Sequence, residues 1–123
     1  MSQPTAAVRK LVWERDGGRC VACGLILGDG VWWSMQHRMR RAAGGNLPSN
    51  LILLCGSATS PGCHRNAEDR TPEAERLGYW IRANTKPPLD PALIPVFYYL
   101  DDSWYLLSAD GTRTLCPAPE IAA

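Results

Sequence analysis

The chain lacks any hydrophobic run long enough to cross a membrane as a helix. Its longest apolar stretches, Leu51–Cys55 and Val96–Leu100, fall far below the ~18 residues a span requires. Its first residues lack a charged-then-apolar pattern, so nothing there reads as a secretory leader, and a reducing, cytoplasmic setting is expected. Net charge of either sign is also missing: 13 Lys and Arg against 12 Asp and Glu give a formal +1. No global basic field therefore announces a nucleic-acid partner. Internal repeats are missing, and histidine occurs only twice, at His37 and His64.

What is present starts with length. At 123 residues one compact domain is expected over 1–123, and a core of that size gains from a metal or disulfide staple. Charge is unevenly spread. Residues 37–41 read His-Arg-Met-Arg-Arg, whereas Asp90, Asp101, Asp102 and Asp110 load the C-terminal third. A basic patch facing phosphates and an ordinary solvated face both fit that layout.

A helix is predicted from Pro4 to Arg15, with Ser2 as its cap and Val8, Leu11 and Val12 on one face. Asp16-Gly17-Gly18 ends it. Leu25-Ile26-Leu27 runs into a Gly28-Asp29-Gly30 turn, and Val31–His37 alternates as a strand. Residues 38–49 read as a glycine-rich loop, and 50–54 as a second strand. A short helix opens at Cys63 or His64. Thr71 caps a further helix that Pro72 begins and Gly78 stops. Lys86-Pro87-Pro88-Leu89-Asp90-Pro91 is a rigid connector. Val96–Leu100 and Trp104–Leu107 then flank Asp101-Asp102-Ser103 as a hairpin, followed by a turn at Asp110-Gly111 and a loose tail from Cys116. The expected class is α+β, with a core over 15–78 and a hairpin extension over 92–115.

Cysteine carries the sharpest signal. Cys20-Val-Ala-Cys23 has knuckle spacing, and Cys55 and Cys63 make a second pair around a longer loop with Gly56, Pro61 and Gly62. Two turns that each present two thiolates supply the four soft, tetrahedral ligands of a structural zinc; the alternative is unrelated buried cysteines or a redox pair. Cys116 is left without a role.

The two histidines flank this cysteine pattern. Trp33-Ser-Met-Gln-His37-Arg, Ala43-Gly-Gly-Asn46, Ser49-Asn50-Leu-Ile-Leu-Leu-Cys55 and Gly62-Cys63-His64 together resemble the HNH endonuclease family, in particular its small bacteriophage members, over about 15–78. The resemblance implies a ββα-metal finger with an N-terminal helix. It implies hydrolysis of DNA phosphodiester bonds, by nicking or double-strand cutting, and a catalytic divalent ion (Mg²⁺, Mn²⁺, Ni²⁺ or Zn²⁺) distinct from the structural zinc. His37 matches the family's general base, and a neutral imidazole can accept a proton from water near neutral pH. Asn50 matches the central Asn that orients the base and braces the finger. His64 matches the final His, a metal ligand, and Glu68, four residues on and so on the same helical face, matches a further ligand of some relatives. Arg38, Arg40, Arg41 and Arg65 stand beside these positions as expected phosphate contacts.

One position departs from the pattern. Before the base the family usually carries Asp or His, and here stands Gln36, whose amide oxygen binds a hard ion without charge and so more weakly. A zinc-stapled DNA-binding module without catalysis, or a structural zinc domain with a protein partner, therefore stays open. The resemblance further implies a cytoplasmic place in a bacterial host and a role beside a phage terminase in DNA packaging. It leaves oligomeric state open.

Overall fold

The computed structural model describes residues 3–56 and 62–120. Its elements are short helices and two small antiparallel sheets, an α+β arrangement. Among the described residues no helix is long and apolar enough to cross a membrane.

The first helix, α1, spans Ala6–Asp16 and is capped by Thr5, whose Oγ1 accepts from the Val8 amide at 3.2 Å. The expected cap, Ser2, lies outside the described residues. Val12 is fully buried on α1, while Leu11, expected on the same face, is 40 % exposed. At its end Arg15 and Asp16 turn inward. The Asp16 carboxylate accepts from Arg15, from the Leu53 amide and from the Tyr98 hydroxyl, and Arg15 donates to the carbonyls of Pro48 and Leu51. This buried polar network is fully paired, which is the condition under which buried charge is tolerated.

Strand β1 (Trp33–His37) pairs antiparallel with β2 (Leu51–Cys55), Trp33 opposite Cys55 and His37 opposite Leu51. The four residues Leu51 to Leu54 are entirely buried. The continuous apolar run is what a strand covered on both faces requires, and here α1, β1 and α3 (Cys63–Glu68) all pack against β2. The expected loop over 38–49 contains a single helical turn, α2 (Arg41–Gly44), and a 3₁₀ turn at Pro48–Asn50. Thr71 caps α4 (Pro72–Arg76), its Oγ1 accepting from Ala74, and the chain leaves through Gly78 at φ 82°.

The C-terminal part is a three-stranded sheet rather than a hairpin. β3 (Val96–Tyr98) pairs with β4 (Ser103–Leu107), and β4 pairs with β5 (Arg113–Cys116). Cys116, expected in a loose tail, stands opposite Trp104 at the end of β5. A third strand satisfies the β4 edge that a hairpin leaves open. Val96, Tyr98 and Leu107 enter the same core as β2, and the Tyr99 and Phe97 amides donate to the carbonyls of Val21 and Leu77.

Candidate metal centre and active site

Two turns bring four cysteines together. The Cys20 carbonyl accepts from the Gly24 amide and the Cys20 amide donates to the Leu25 carbonyl, folding Cys20 and Cys23 into one tight knuckle. The Val21 amide donates to the Leu53 carbonyl and lays that knuckle along β2, whose last residue is Cys55. Cys63 opens α3, its amide facing the Cys55 sulfur at 3.5 Å. A Cβ at Gly62 would lie 2.8 Å from the Cys55 carbonyl oxygen, so this approach requires glycine. The sulfurs of Cys20, Cys23, Cys55 and Cys63 all lie within 4.8 Å of one another, a cluster able to hold a metal ion.

Electrostatics within the cluster point the same way. A hydrogen bond with Cys63 pulls the Cys20 thiol down to about 5, and the same bond, then burial, pushes Cys63 well up. Burial pushes Cys23 up to about 11. Four adjacent thiols cannot all ionise unless a cation compensates the repulsion. The donor set therefore fits a thiolate-bound ion.

The expected catalytic residues gather at a second place. Gln36, His37, Arg41, His64 and Glu68 line one cavity of about 410 Å³ together with the N-terminal segment. His37 closes β1, and its Nε2 lies 2.7 Å from Asn46 Oδ1. A carboxamide oxygen only accepts, so Nε2 is the donor and the lone pair falls on Nδ1. His64 is held on the first turn of α3, with Nε2 3.7 Å from Glu68 Oε1. Gln36 is 5 % exposed, and its Nε2 donates to the His37 carbonyl at 2.9 Å. Its Oε1, like His64 Nδ1, is a buried polar atom without a hydrogen-bond partner among the described residues. Orphaned buried polar atoms are rare and call for an ion or water. An imidazole, a carboxylate and an amide oxygen together suit a divalent ion.

Two expectations change. Asn50, expected to orient the base and brace the finger, makes its side-chain hydrogen bonds to the 38–49 backbone and not to the His37 ring. Its Oδ1 accepts from the Met39 amide, and its Nδ2 donates to the carbonyls of Met39 and Gly45, all at 2.8–2.9 Å. It braces the 38–49 segment, and the residue hydrogen-bonded to the His37 ring is Asn46. A Cβ at Gly44 would stand 2.5 Å from Asn50 Nδ2, so glycine is required for the segment to close over this amide.

Arg38, expected on a phosphate, is 1 % exposed. Its guanidinium donates to the carbonyls of Gly78, Ser49, Pro91 and Ile94 at 2.6–2.9 Å. Burial pulls its pKa down to about 9, and the four carbonyls occupy the donors that a phosphate would need. Of the other expected phosphate partners, Arg40 and Arg41 stand at the His37 cavity system, while Arg65 faces Asp69 and the Cys55–Cys63 side.

The sequence passes over Arg70, Trp80 and Arg82, which line a neighbouring cleft with His37. Their only sequence signal is one aromatic amid basic residues. Compared with known proteins, the chain matches no protein-family model, no curated protein and no solved structure.

Proposed function

We propose that the chain is a metal-dependent endonuclease of the HNH type, hydrolysing DNA phosphodiester bonds with His37 as general base. One observation carries this reading: His37, tautomerically set by Asn46, lines one cavity with Gln36, His64 and Glu68. The order β1, β2, α3 that brings them together is that of a ββα-metal finger. The ion in the cysteine cluster is read as structural zinc, the preference of four thiolates.

In this reading a water molecule stands at His37 Nδ1. Its oxygen attacks phosphorus, its proton passes to Nδ1, and one ester P–O bond breaks as the leaving oxygen departs. Asn46 Oδ1 keeps the Nε2 proton in place, so the imidazole accepts from one side only. Gln36, His64 and Glu68 would hold a divalent ion. When bound, such an ion supplies charge to the nonbridging and leaving oxygens. Arg41 borders the same cavity and suits a phosphate oxygen.

The test is nicking of supercoiled plasmid with Mg²⁺, Mn²⁺ or Ni²⁺. His37→Ala is expected to lower the rate by ~10²–10⁴-fold, the ordinary value of a general base, with the fold retained. Cleavage that survives this substitution overturns the mechanism. Gln36, neutral where a charged ligand is expected, favours a second reading in which the chain binds DNA without cutting it. Salt-dependent DNA retention with no cleavage under any of the three ions supports that reading instead.

A further inference from the structure

Beside the His37 cavity lies a second cleft of about 380 Å³, which shares Gln36, His37, Arg41 and Glu68 with it. His37 therefore borders both. Besides Glu68 and the carbonyl-bound Arg38, the cleft is bordered by Arg40, Arg41, Arg70 and Arg82. In a chain of formal net charge +1, four guanidinium groups at one cleft are a strong local departure from balance.

Backbone geometry brings them there from three stretches of sequence. The Ile81 amide donates to the Arg38 carbonyl at 2.7 Å, laying the segment after α4 against the end of β1. Arg82 and Asn84 thereby enter the cleft wall opposite Arg40, which donates to Asn84 Oδ1 at 3.3 Å. Trp80 is pinned by its indole N–H to the Thr71 carbonyl at 3.1 Å. Arg70 and Arg82 stand over its ring, at 5.9 and 5.6 Å from the centroid. Cation–π contact with one ring holds both long side chains to the cleft.

Arg82 pairs with Glu75 at 3.3 Å. Among the described residues no carboxylate lies within ion-pair distance of Arg40, Arg41 or Arg70. Arg41 Nε is a buried donor without a partner.

We propose that Arg40, Arg41, Arg70 and Arg82, the last two held over Trp80, form the track for the DNA backbone flanking the phosphodiester at His37. This rests on the nuclease reading above and adds to it where the strand lies. Guanidinium groups facing a groove suit phosphate oxygens. Trp80 serves as the platform for two arginines rather than a stacking surface for a base, so the track positions DNA without reading its sequence.

The test uses the full-length His37→Ala protein, loaded with zinc and unable to cut, titrated with a short labelled DNA duplex by fluorescence anisotropy over a salt series. Adding Arg70→Ala and Arg82→Ala together is expected to lower the slope of log K against log salt by about 2, near 0.9 for each phosphate that is no longer neutralised. The fall in affinity should be the same for duplexes of unrelated sequence. Lys10→Ala and Arg76→Ala, exposed cations that line neither the cleft nor the His37 cavity, should leave the slope unchanged. An unaltered slope in the double variant overturns the track, as does an equal fall in the two controls. If His37-dependent nicking is present all the same, the nuclease reading survives that result. A His37→Ala protein that shows no salt-dependent DNA binding at all overturns the track, and absent nicking as well overturns both.

Discussion

His37 relies on one acceptor. Its Nε2 donates to Asn46 Oδ1 at 2.7 Å, and this bond alone decides which ring nitrogen presents a lone pair. Asn46→Ala frees the ring to rotate and to exchange tautomers. Under the proposed nuclease function, nicking by this variant is expected to fall by at least about tenfold, within the ~10²–10⁴-fold of a general base. The loss should lie in kcat with KM little changed, and Asn46→Asp, which keeps an accepting oxygen, should recover part of it. A loss confined to KM would remove Asn46 from the role of positioning residue. Asn50 makes a useful contrast. It is 0 % exposed and its three hydrogen bonds all go to the 38–49 backbone, so its loss acts through folding.

Among the elements, the end of β1 is the most heavily anchored. Arg38 follows the strand directly and ties together the 3₁₀ turn before β2, the exit of α4 at Gly78 and the connector at Pro91 and Ile94. Each carbonyl left unpaired in the interior costs about 1–3 kcal/mol. Arg38→Met strands four of them, and a loss of roughly 4 kcal/mol or more is expected, read as a lowered urea midpoint by circular dichroism. Arg40→Ala, one residue pair away on an exposed side chain, should stay within about 0.5 kcal/mol of the parent. Equal midpoints for the two would contradict the hub. The same logic applies across the molecule's other seam, where Asp16 joins α1, β2 and β3 through Leu53 and Tyr98.

For the molecule as a whole, the cysteine cluster joins the knuckle after α1, the end of β2 and the start of α3, so a metal held there would link elements that form the core. Structural zinc contributes on the order of 10 kcal/mol in small domains, comparable with the whole stability of a domain of this size. Cys20→Ser, or zinc removal by a chelator, is expected to collapse the far-UV circular dichroism and the bound-zinc content together, whereas His37→Ala should leave both intact. pH adds a signed expectation. Cys23, held up at about 11, and Cys63, raised by its bond with Cys20, keep protons near neutrality in the metal-free protein. Zinc binding must expel those protons, so affinity should rise with pH and proton release should accompany a zinc titration in weak buffer. Zinc uptake without proton release would exclude thiol ligation of the kind described.

Much of the architecture is legible along the chain because its causes are local. The Cys20–Cys23 knuckle, the Thr71-Pro72 start of α4 and the strand ending at His37 each depend on residues a few positions apart, where spacing and capping chemistry act directly. β5 was not legible. Arg113-Thr-Leu-Cys is short, is followed by proline and has no apolar alternation, so only the open edge of β4 makes it a strand.

The amino-acid sequence by itself determined the four-cysteine cluster, the Thr71 cap of α4 and the apolar run of β2, since these follow from residue type and near-neighbour geometry. Only the tertiary structure decided which arginines face inward and which line the cleft. Arg38 is buried because carbonyls 11 to 56 residues away converge on it. Arg70 and Arg82 meet over Trp80 because the chain after α4 returns to β1. A charged side chain reads as surface in any local window. Its partners, and therefore its role, come from segments that meet only when the chain has folded.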